Sequence, residues 1–229
     1  MKKSQTIMVM AAAALVGCAH APAKAPDNAA PPQAAANPAA APADESPTTF
    51  YCNGLKITKM LLDDTPYNLK YKLPGPMEEV KYITIHNTAN KAPAIDERNY
   101  LNNRQDNVSI SFHYAVDENG AIQILPLDTH GWHAADGRGD GNMKSIGIEI
   151  CRSTLYGSNL YPRSEENAVK LAAYLLYIYN LTPDDLRMHY DWYPKKKCPH
   201  RIIEDNRWPE FKARVAASLD ALKRENKQI

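Results

Sequence analysis

Hydrophobic and polar residues alternate with a period of two in two short stretches, and this pattern predicts two half-buried β-strands. Residues 81–86 place two isoleucines on one face and Thr84 and His86 on the other. Ser145–Ile150 places three isoleucines on one face, and Glu149, its one acidic residue, on the other. Each strand is therefore expected to turn an apolar face to a core and a polar face to a different environment.

The pattern after residue 95 predicts an alternation of helices and strands. The predicted elements are a polar helix over 96–103, a strand over 110–116 that turns at 118–120 into a strand over 121–125, a helix that begins after Pro162 with Ser164 as its cap, a short strand over 186–190 and a helix over 209–225. The last two helices carry buried stripes, formed by Ala168, Leu171, Ala172, Leu175 and Tyr179 and by Phe211, Val215, Leu219 and Leu222. This order predicts an α/β fold, with a central mixed sheet flanked by helices in a single domain.

The first residues have the composition of an export signal. Lys2 and Lys3 precede an apolar stretch over 7–16, which is too short to span a bilayer and ends in Leu-Val-Gly-Cys18. This ending resembles the lipobox of bacterial lipoproteins, so residues 1–17 are predicted to be a lipoprotein signal peptide and Cys18 to be lipidated. The alternative is an ordinary signal that is cleaved near the following Ala-His-Ala-Pro. Both interpretations predict an exported protein.

Residues 18–47 are predicted to form a disordered tether, because alanine and proline dominate and no helical or strand periodicity is present. With a lipidated Cys18 the tether would hold the protein on a bacterial membrane, and Ala19 is compatible with the outer membrane, facing the periplasm, if the organism has one. Residues 48–229 are long enough for one domain, which we expect to be monomeric. The net charge of +1 argues against nucleic acid as a partner.

Two imidazoles and one thiol form the most informative set of side chains. His189 and Cys198 lie within one short segment, and His86 ends the first alternating strand. Zn²⁺ prefers nitrogen and sulfur ligands, and a catalytic zinc site uses three protein ligands so that the fourth position can hold water. However, seven histidines put one near a cysteine by chance, and buried free cysteine is common. The spacing matches no compact zinc-finger pattern, so spacing alone leaves both interpretations open.

Five motifs occur together in a specific order. They are ITIHNTA (83–89), SFHYAV (111–116), GWHAADG (131–137), SIGIEI (145–150) and CPH (198–200). In this order they resemble the zinc-dependent N-acetylmuramoyl-L-alanine amidase family, which includes amidase-type phage lysozymes and shares its fold with peptidoglycan recognition proteins. The resemblance implies hydrolysis of the amide between the lactyl group of N-acetylmuramic acid and L-alanine, in peptidoglycan or muropeptides.

The resemblance also implies a role for individual residues. His86, His189 and Cys198 correspond to the zinc ligands of the family. Glu149 corresponds to its catalytic glutamate, and its isolation in an apolar strand independently favours a tuned general base over a surface ion pair. Lys196 matches a cation that stabilises the oxyanion of the tetrahedral intermediate. Its neighbours Lys195 and Lys197 compete for this role.

Residues around the expected site complete the hypothesis. His133 and Trp132 are expected to line the substrate groove, and Asn87 to support the metal ligands and contact substrate. Phe112 departs from the phage-lysozyme branch, which has a catalytic tyrosine here, so the proton transfer falls to the glutamate. His113 is more simply explained as a buried structural histidine.

Two cysteines remain after lipidation and metal binding are assigned. In an oxidising, exported setting a Cys52–Cys151 disulfide would join the start of the domain to the end of the glutamate strand. Two buried free thiols are the alternative.

Two other functions compete with the amidase hypothesis. A peptidoglycan receptor of the same fold would bind muropeptide without cleaving it, but non-catalytic members typically lose the cysteine ligand that Cys198 supplies here. A zinc hydrolase of another amide, such as a metallopeptidase, is disfavoured because the chain contains no His-Glu-x-x-His.

Overall fold

Short strands and longer helices alternate along residues 47–225, the part of the chain that the computed structural model describes. The strands are β1 (Thr48–Cys52), β2 (Leu55–Lys59), β3 (Tyr82–Asn87), β4 (Tyr114–Asp117), β5 (Gly120–Gln123), β6 (Ser145–Ile150) and β7 (Leu186–Met188). The helices are α1 (Pro66–Tyr71), α2 (Ala94–Asn103), α3 (Asp140–Met143), α4 (Leu160–Ile178), α5 (His189–Trp192), α6 (His200–Glu204) and α7 (Trp208–Glu225), with a 3₁₀ turn at Pro183–Asp185.

The described strands form one mixed sheet in the order β1-β2-β5-β4-β6-β3-β7. β3 lies between β6 and β7 and runs parallel to both, while β4 is parallel to β6. β4 and β5 form the antiparallel hairpin expected at 118–120. β1 and β2 add an antiparallel pair at one edge. The prediction of a single α/β domain, with a mixed sheet flanked by helices, is confirmed.

Buried side chains cover both faces of the sheet. The larger core cluster contains Tyr114 and Val116 of β4, the isoleucines of β3 and β6, and the apolar stripes of α4 and α7. Ala115 belongs instead to a second cluster with Leu101 of α2 and Phe112. Because successive residues of a strand point to opposite faces, the two clusters lie on opposite sides of the sheet.

Several predicted element ends are wrong: the helix predicted from 96 begins at Ala94, and the strand predicted over 121–125 ends at Gln123. The strand predicted over 110–116 begins only at Tyr114. α4 begins at Leu160, and Ser164 does not cap it, because its hydroxyl donates back to the Leu160 carbonyl within the first turn at 2.9 Å. The strand predicted over 186–190 ends at Met188, and His189 begins the short helix α5.

The disulfide expected between Cys52 and Cys151 is not formed, because both are free thiols. Cys52 ends the edge strand β1, whereas Cys151 directly follows β6, four strand intervals away in the sheet. At about 4.8 Å per interval this separation is roughly 19 Å. A disulfide requires Cα atoms within about 7 Å. The alternative of two free thiols therefore describes these residues.

The sequence predictions for the N-terminus fall on residues outside the described part of the chain. They concern the signal peptide over 1–17, the lipidated Cys18 and all but the last residue of the tether over 18–47. Across residues 47–225, no helix combines the length and apolar character needed to cross a membrane.

Candidate active site

The three expected metal ligands converge at the C-terminal ends of the neighbouring parallel strands β3 and β7. His86 lies near the end of β3, and His189 directly follows the parallel neighbour β7, so the strand register brings the two rings together. Their Nδ1 atoms are 3.1 Å apart, and the Cys198 Sγ lies 3.9 Å from the His86 Nδ1. All three side chains are buried, and their potential ligand atoms lie within 4.8 Å of one another.

The cysteine is held in the cluster by the backbone of its neighbours. The Asn87 N–H donates to the Cys198 Sγ at 3.4 Å, and the Tyr190 N–H donates to the Cys198 carbonyl at 2.9 Å. The Asn87 side chain accepts from the Arg201 N–H at 3.0 Å and donates to the Tyr161 hydroxyl at 3.4 Å. Asn87 therefore ties the end of β3 to α6, the helix that follows the cysteine.

The protonation of these ligands suits a cation. Burial, followed by the charges of His133, His189 and Lys196, lowers the pKa of His86 well below its usual value. Burial also lowers the pKa of His189, to about 4. Both rings are therefore neutral at neutral pH and can offer a lone pair. Burial raises the pKa of Cys198 to about 12, so its thiolate form requires a nearby positive charge.

The spacing of the donor atoms fits zinc. Zinc–nitrogen bonds of about 2.0–2.1 Å and zinc–sulfur bonds of about 2.3 Å, at tetrahedral angles, separate such donors by roughly 3.3–3.6 Å. The separations of the His189 Nδ1 and the Cys198 Sγ from the His86 Nδ1, 3.1 Å and 3.9 Å, bracket that range, and all three donors lie within 4.8 Å of one another. Two neutral imidazoles and one thiol are also the donor types that zinc prefers.

Glu149 lies directly beside the cluster, because it pairs with His86 in the parallel register of β3 and β6. Its Oε1 is 3.9 Å from the His86 Nδ1, and its side chain is 16% exposed. The other oxygen, Oε2, is buried and has no hydrogen-bond partner among the described residues. Burial raises the pKa of Glu149 to about 8, while Lys196 lowers it and Glu97 raises it. A carboxyl with such a pKa can both take up and release a proton near neutral pH.

Lys196 is the lysine of the 195–197 run whose charge acts on the cluster. It lowers the pKa values of Glu149, His189 and Cys198. Its own side chain is exposed, and its backbone N–H donates to the Tyr193 carbonyl at 3.1 Å in the turn before the cysteine. The electrostatic influence favours Lys196 over Lys195 and Lys197 as the cation that faces the site.

His133 is buried behind His86 instead of standing open to a groove. Its Nδ1 is 3.1 Å from the His86 Nε2, and its Nε2 is 3.2 Å from the Ser145 carbonyl. Both ring nitrogens are thus engaged within the protein, which leaves no ring N–H for a substrate oxygen in this arrangement. Trp132, the other residue expected in the groove, is half-buried, and its ring meets that of His130 edge-on at 5.7 Å.

A polar contact beneath the site was not predicted from the sequence. The Trp192 indole N–H donates to the Thr84 hydroxyl at 2.9 Å, and Thr84 hydrogen-bonds the Ser145 hydroxyl. This contact joins α5 to the polar face of β3 and so supports His189 from the side. The alternation of β3 already placed Thr84 on the same face as His86, but nothing in the sequence paired it with a tryptophan so distant along the chain.

Comparison with known proteins identifies relatives that share this site-bearing region. Residues 76–201, more than half of the chain, match the family described as N-acetylmuramoyl-L-alanine amidase. Two of the similar proteins, CwlA and XlyB of Bacillus subtilis (strain 168), are both named N-acetylmuramoyl-L-alanine amidase. CwlA is 43% identical over 73% of this chain and 60% of its own length. XlyB is 42% identical over 72% of this chain and 50% of its own length. The chain thus spans about half to three-fifths of these relatives.

A solved structure gives the same answer for the fold. The structure of PlyL is 40% identical and superimposes with a TM-score of 0.63, covering 69% of this chain and 94% of that chain. The fold and the site define an α/β domain whose mixed sheet gathers two imidazoles, a thiol and a buried carboxyl around a candidate metal centre. Within that class, the chain belongs to the N-acetylmuramoyl-L-alanine amidase family. The membership of the N-acetylmuramoyl-L-alanine amidase family that the five motifs implied is confirmed.

Proposed function

We propose that this chain is a zinc-dependent N-acetylmuramoyl-L-alanine amidase that hydrolyses the lactyl amide bond between N-acetylmuramic acid and L-alanine in peptidoglycan or muropeptides. The observation that carries the proposal is the Glu149 carboxyl, which lies 3.9 Å from the nitrogen of a buried ligand cluster and keeps one oxygen without a partner among residues 47–225. The family membership and the names of CwlA and XlyB support the same activity.

His86, His189 and Cys198 would hold the zinc ion. When bound, zinc supplies a dipositive charge that acidifies water and lowers the pKa of a neighbouring carboxyl. Glu149 then accepts a proton from the attacking water at its unpartnered Oε2, and returns it to the nitrogen of L-alanine as the amide bond breaks. The products are the free lactyl carboxyl group and the stem peptide with a free amine.

Lys196 stabilises the negative charge that develops on the amide oxygen. Its charge already acts on Glu149 and on the ligand cluster. A cation at this point favours the transition state over the neutral ground-state amide, which is how electrostatic catalysis lowers a barrier. Phe112 is buried in the second core cluster and carries no hydroxyl, so Glu149 performs the proton transfer.

We further propose that Cys18 is lipidated and that residues 18–47 tether a monomeric enzyme to a bacterial membrane. The Leu-Val-Gly-Cys ending of the apolar stretch and the alanine- and proline-rich segment after it support this proposal. Mass spectrometry of the membrane-extracted protein tests it. The N-terminal peptide is expected to begin at a lipidated Cys18, and a peptide that begins at another residue would contradict it.

Digestion of purified sacculi tests the proposed activity. Mass spectrometry should detect intact stem peptides that begin with L-alanine when the protein carries zinc, and none after chelation. Cuts inside the stem would identify a peptidase, and binding without any release of peptide would identify a receptor. A matched sample of Glu149→Gln protein is expected to keep its zinc and release no peptides.

A further inference from the structure

We propose that His133 is a positioning residue that sets the tautomer of His86, so that the His86 Nδ1 keeps its lone pair for the metal. The proposal deepens the zinc amidase function above and rests on it. His133 reaches none of the expected reacting groups directly, because its ring hydrogen-bonds only His86 and the Ser145 carbonyl. It acts on the site through His86.

The hydrogen-bond pattern determines which nitrogen carries each proton. The His133 Nε2 lies 3.2 Å from the Ser145 carbonyl, and a carbonyl oxygen can only accept. The proton of His133 is therefore on Nε2, and its Nδ1 is an acceptor, because a neutral imidazole carries one N–H. The His86 Nε2, 3.1 Å from that acceptor, must then donate. One N–H is thereby used, and the His86 Nδ1 is left as a bare lone pair.

Burial keeps both rings in the neutral form that this pattern requires. His86 is 1% exposed and His133 is 8% exposed. An imidazolium at such positions would lose its hydration, so the charged form is disfavoured. The two rings meet edge-on at 5.1 Å, which is the orientation expected when the N–H at the edge of one ring points to a lone pair of the other.

The His133 ring occupies a close-fitting slot. A Cβ at Gly147 would lie 2.8 Å from the His133 Cγ, so any larger residue at position 147 would displace the ring. The backbone N–H groups of His133 and Ala134 both donate to the Asn142 Oδ1, at 2.8 Å and 2.7 Å. The ring is thus fixed from both its face and its backbone, as a group that orients a metal ligand must be.

His113 provides a matched control from the same neighbourhood. It is also fully buried, and its ring lies 5.8 Å from that of His133. Its Nδ1 accepts from the Gly147 N–H at 3.0 Å, and its Nε2 donates to the Thr129 carbonyl at 2.9 Å. His113 therefore satisfies the backbone in the same way as His133 but forms no hydrogen bond with a metal ligand.

Two substitutions at His133 separate the acceptor from the rest of the ring. The amide of asparagine places a polar atom where the His133 Nδ1 is, and so His133→Asn can still accept from His86. The amide of glutamine reaches the position of Nε2, so His133→Gln can bond Ser145 but offers His86 no acceptor. We expect His133→Gln to weaken zinc binding by about 10- to 100-fold, and His133→Asn to stay within about threefold of wild type.

Competition with a chromophoric chelator measures zinc affinity without reference to activity. His113→Gln should bind zinc as wild type does, although it also removes a buried ring. Equal losses in His133→Gln and His133→Asn would overturn the proposal, because the ring's bulk would then matter and its acceptor atom would not. Wild-type affinity in His133→Gln would overturn it as well.

Nitrogen-15 NMR of histidine-labelled, zinc-free wild type tests the tautomer without any substitution. The expected spectrum shows His86 protonated at Nε2 and bare at Nδ1, and the opposite tautomer would refute the proposal even if the variants failed to fold. A wild-type protein with no zinc affinity, or one whose affinity survives His86→Ala, would instead refute the proposed zinc site. The two failures are therefore distinguishable.

Discussion

The two faces of β3 and β6 share a backbone but have opposite chemistry. On one face Ile83, Ile85 and the three isoleucines of β6 are fully buried in the larger core cluster. On the other face the register places His86 beside Glu149, with Thr84 one step earlier on β3. Because a strand alternates with a period of two, the apolar face sets the register that brings His86 and Glu149 together.

The polar face also shows how buried polar groups differ from one another. Thr84 bonds Ser145 and receives the Trp192 indole N–H, and His86 bonds His133. The Oε2 of Glu149, by contrast, has no partner within residues 47–225. A buried polar atom without a partner costs stability, and groups of this kind concentrate where a protein performs chemistry. The contrast marks Glu149 as the reactive group of this face.

Replacement of Glu149 by glutamine should produce the largest effect on the polar face. The amide has the same size but cannot take a proton from water, so kcat should fall by about 10²- to 10⁴-fold. Zinc content and thermal stability should not fall. Peptide release from sacculi measures the rate, and the exposed Glu210→Gln on α7 is the control. Wild-type turnover in Glu149→Gln would exclude it as the base.

Lys196→Met tests whether the charge above the polar face acts in the transition state. Methionine keeps most of the length of the side chain and removes the cation, so kcat should fall by about 10²- to 10³-fold with little change in zinc affinity. Lys197 is also exposed, and Lys197→Met should retain activity. A larger loss in Lys197→Met than in Lys196→Met would assign the role to the other lysine.

Ile148→Ala probes the opposite face of the same strand as Glu149. Ile148 is fully buried, and truncation leaves a cavity in the core, so the free energy of unfolding should drop by about 2–5 kcal/mol. The protein that remains folded should keep the zinc affinity and turnover of wild type. Urea unfolding with a parallel rate assay checks both expectations. A loss of turnover in the folded fraction would show that the two faces are not separable.

Features that depend on neighbouring residues along the chain were predicted, whereas features that depend on contacts between distant residues were not. Alternation within β3 and β6 is local, so their faces were predicted correctly. The edge pair β1 and β2 and the helix α1 were not predicted, because they precede the first clear periodic stretch and are stabilised by contacts with distant residues. One example is the Asn53 amide, which donates to the Ser218 hydroxyl of α7 at 2.8 Å.

For the site as well, the residues within sequence motifs were predicted, and the contacts between distant residues were not. The family motifs identified His86, His189 and Cys198, which the fold then brings together. The partners of His133 could not be predicted, because they follow from how a loop residue packs against Gly147 of β6. The proposed disulfide failed because cysteine counting carries no information on the order of strands in the sheet.

The smallest expected effect is a pH dependence of stability in the zinc-free protein that comes from Glu149 alone. Its pKa lies at about 8 in the folded state, against 4.5 for the ordinary side chain. Below pH 4.5 both states are protonated. Between 4.5 and 8 the unfolded chain releases the proton and the folded protein retains it, so stability falls as pH rises, and the loss is complete above about pH 8.

The difference between wild type and Glu149→Gln isolates this contribution, because the buried histidines titrate alike in both proteins. We expect wild type to lose stability relative to the variant by on the order of 2 kcal/mol across this window. That is less than the full shift implies, since the side chain keeps 16% exposure and can turn toward water. Chemical unfolding at several pH values in chelator provides the measurement. If the difference in unfolding free energy between the two proteins did not change with pH, Glu149 would already be ionised beside its histidine neighbour. The contrast between the paired and unpaired groups of this face would then be lost.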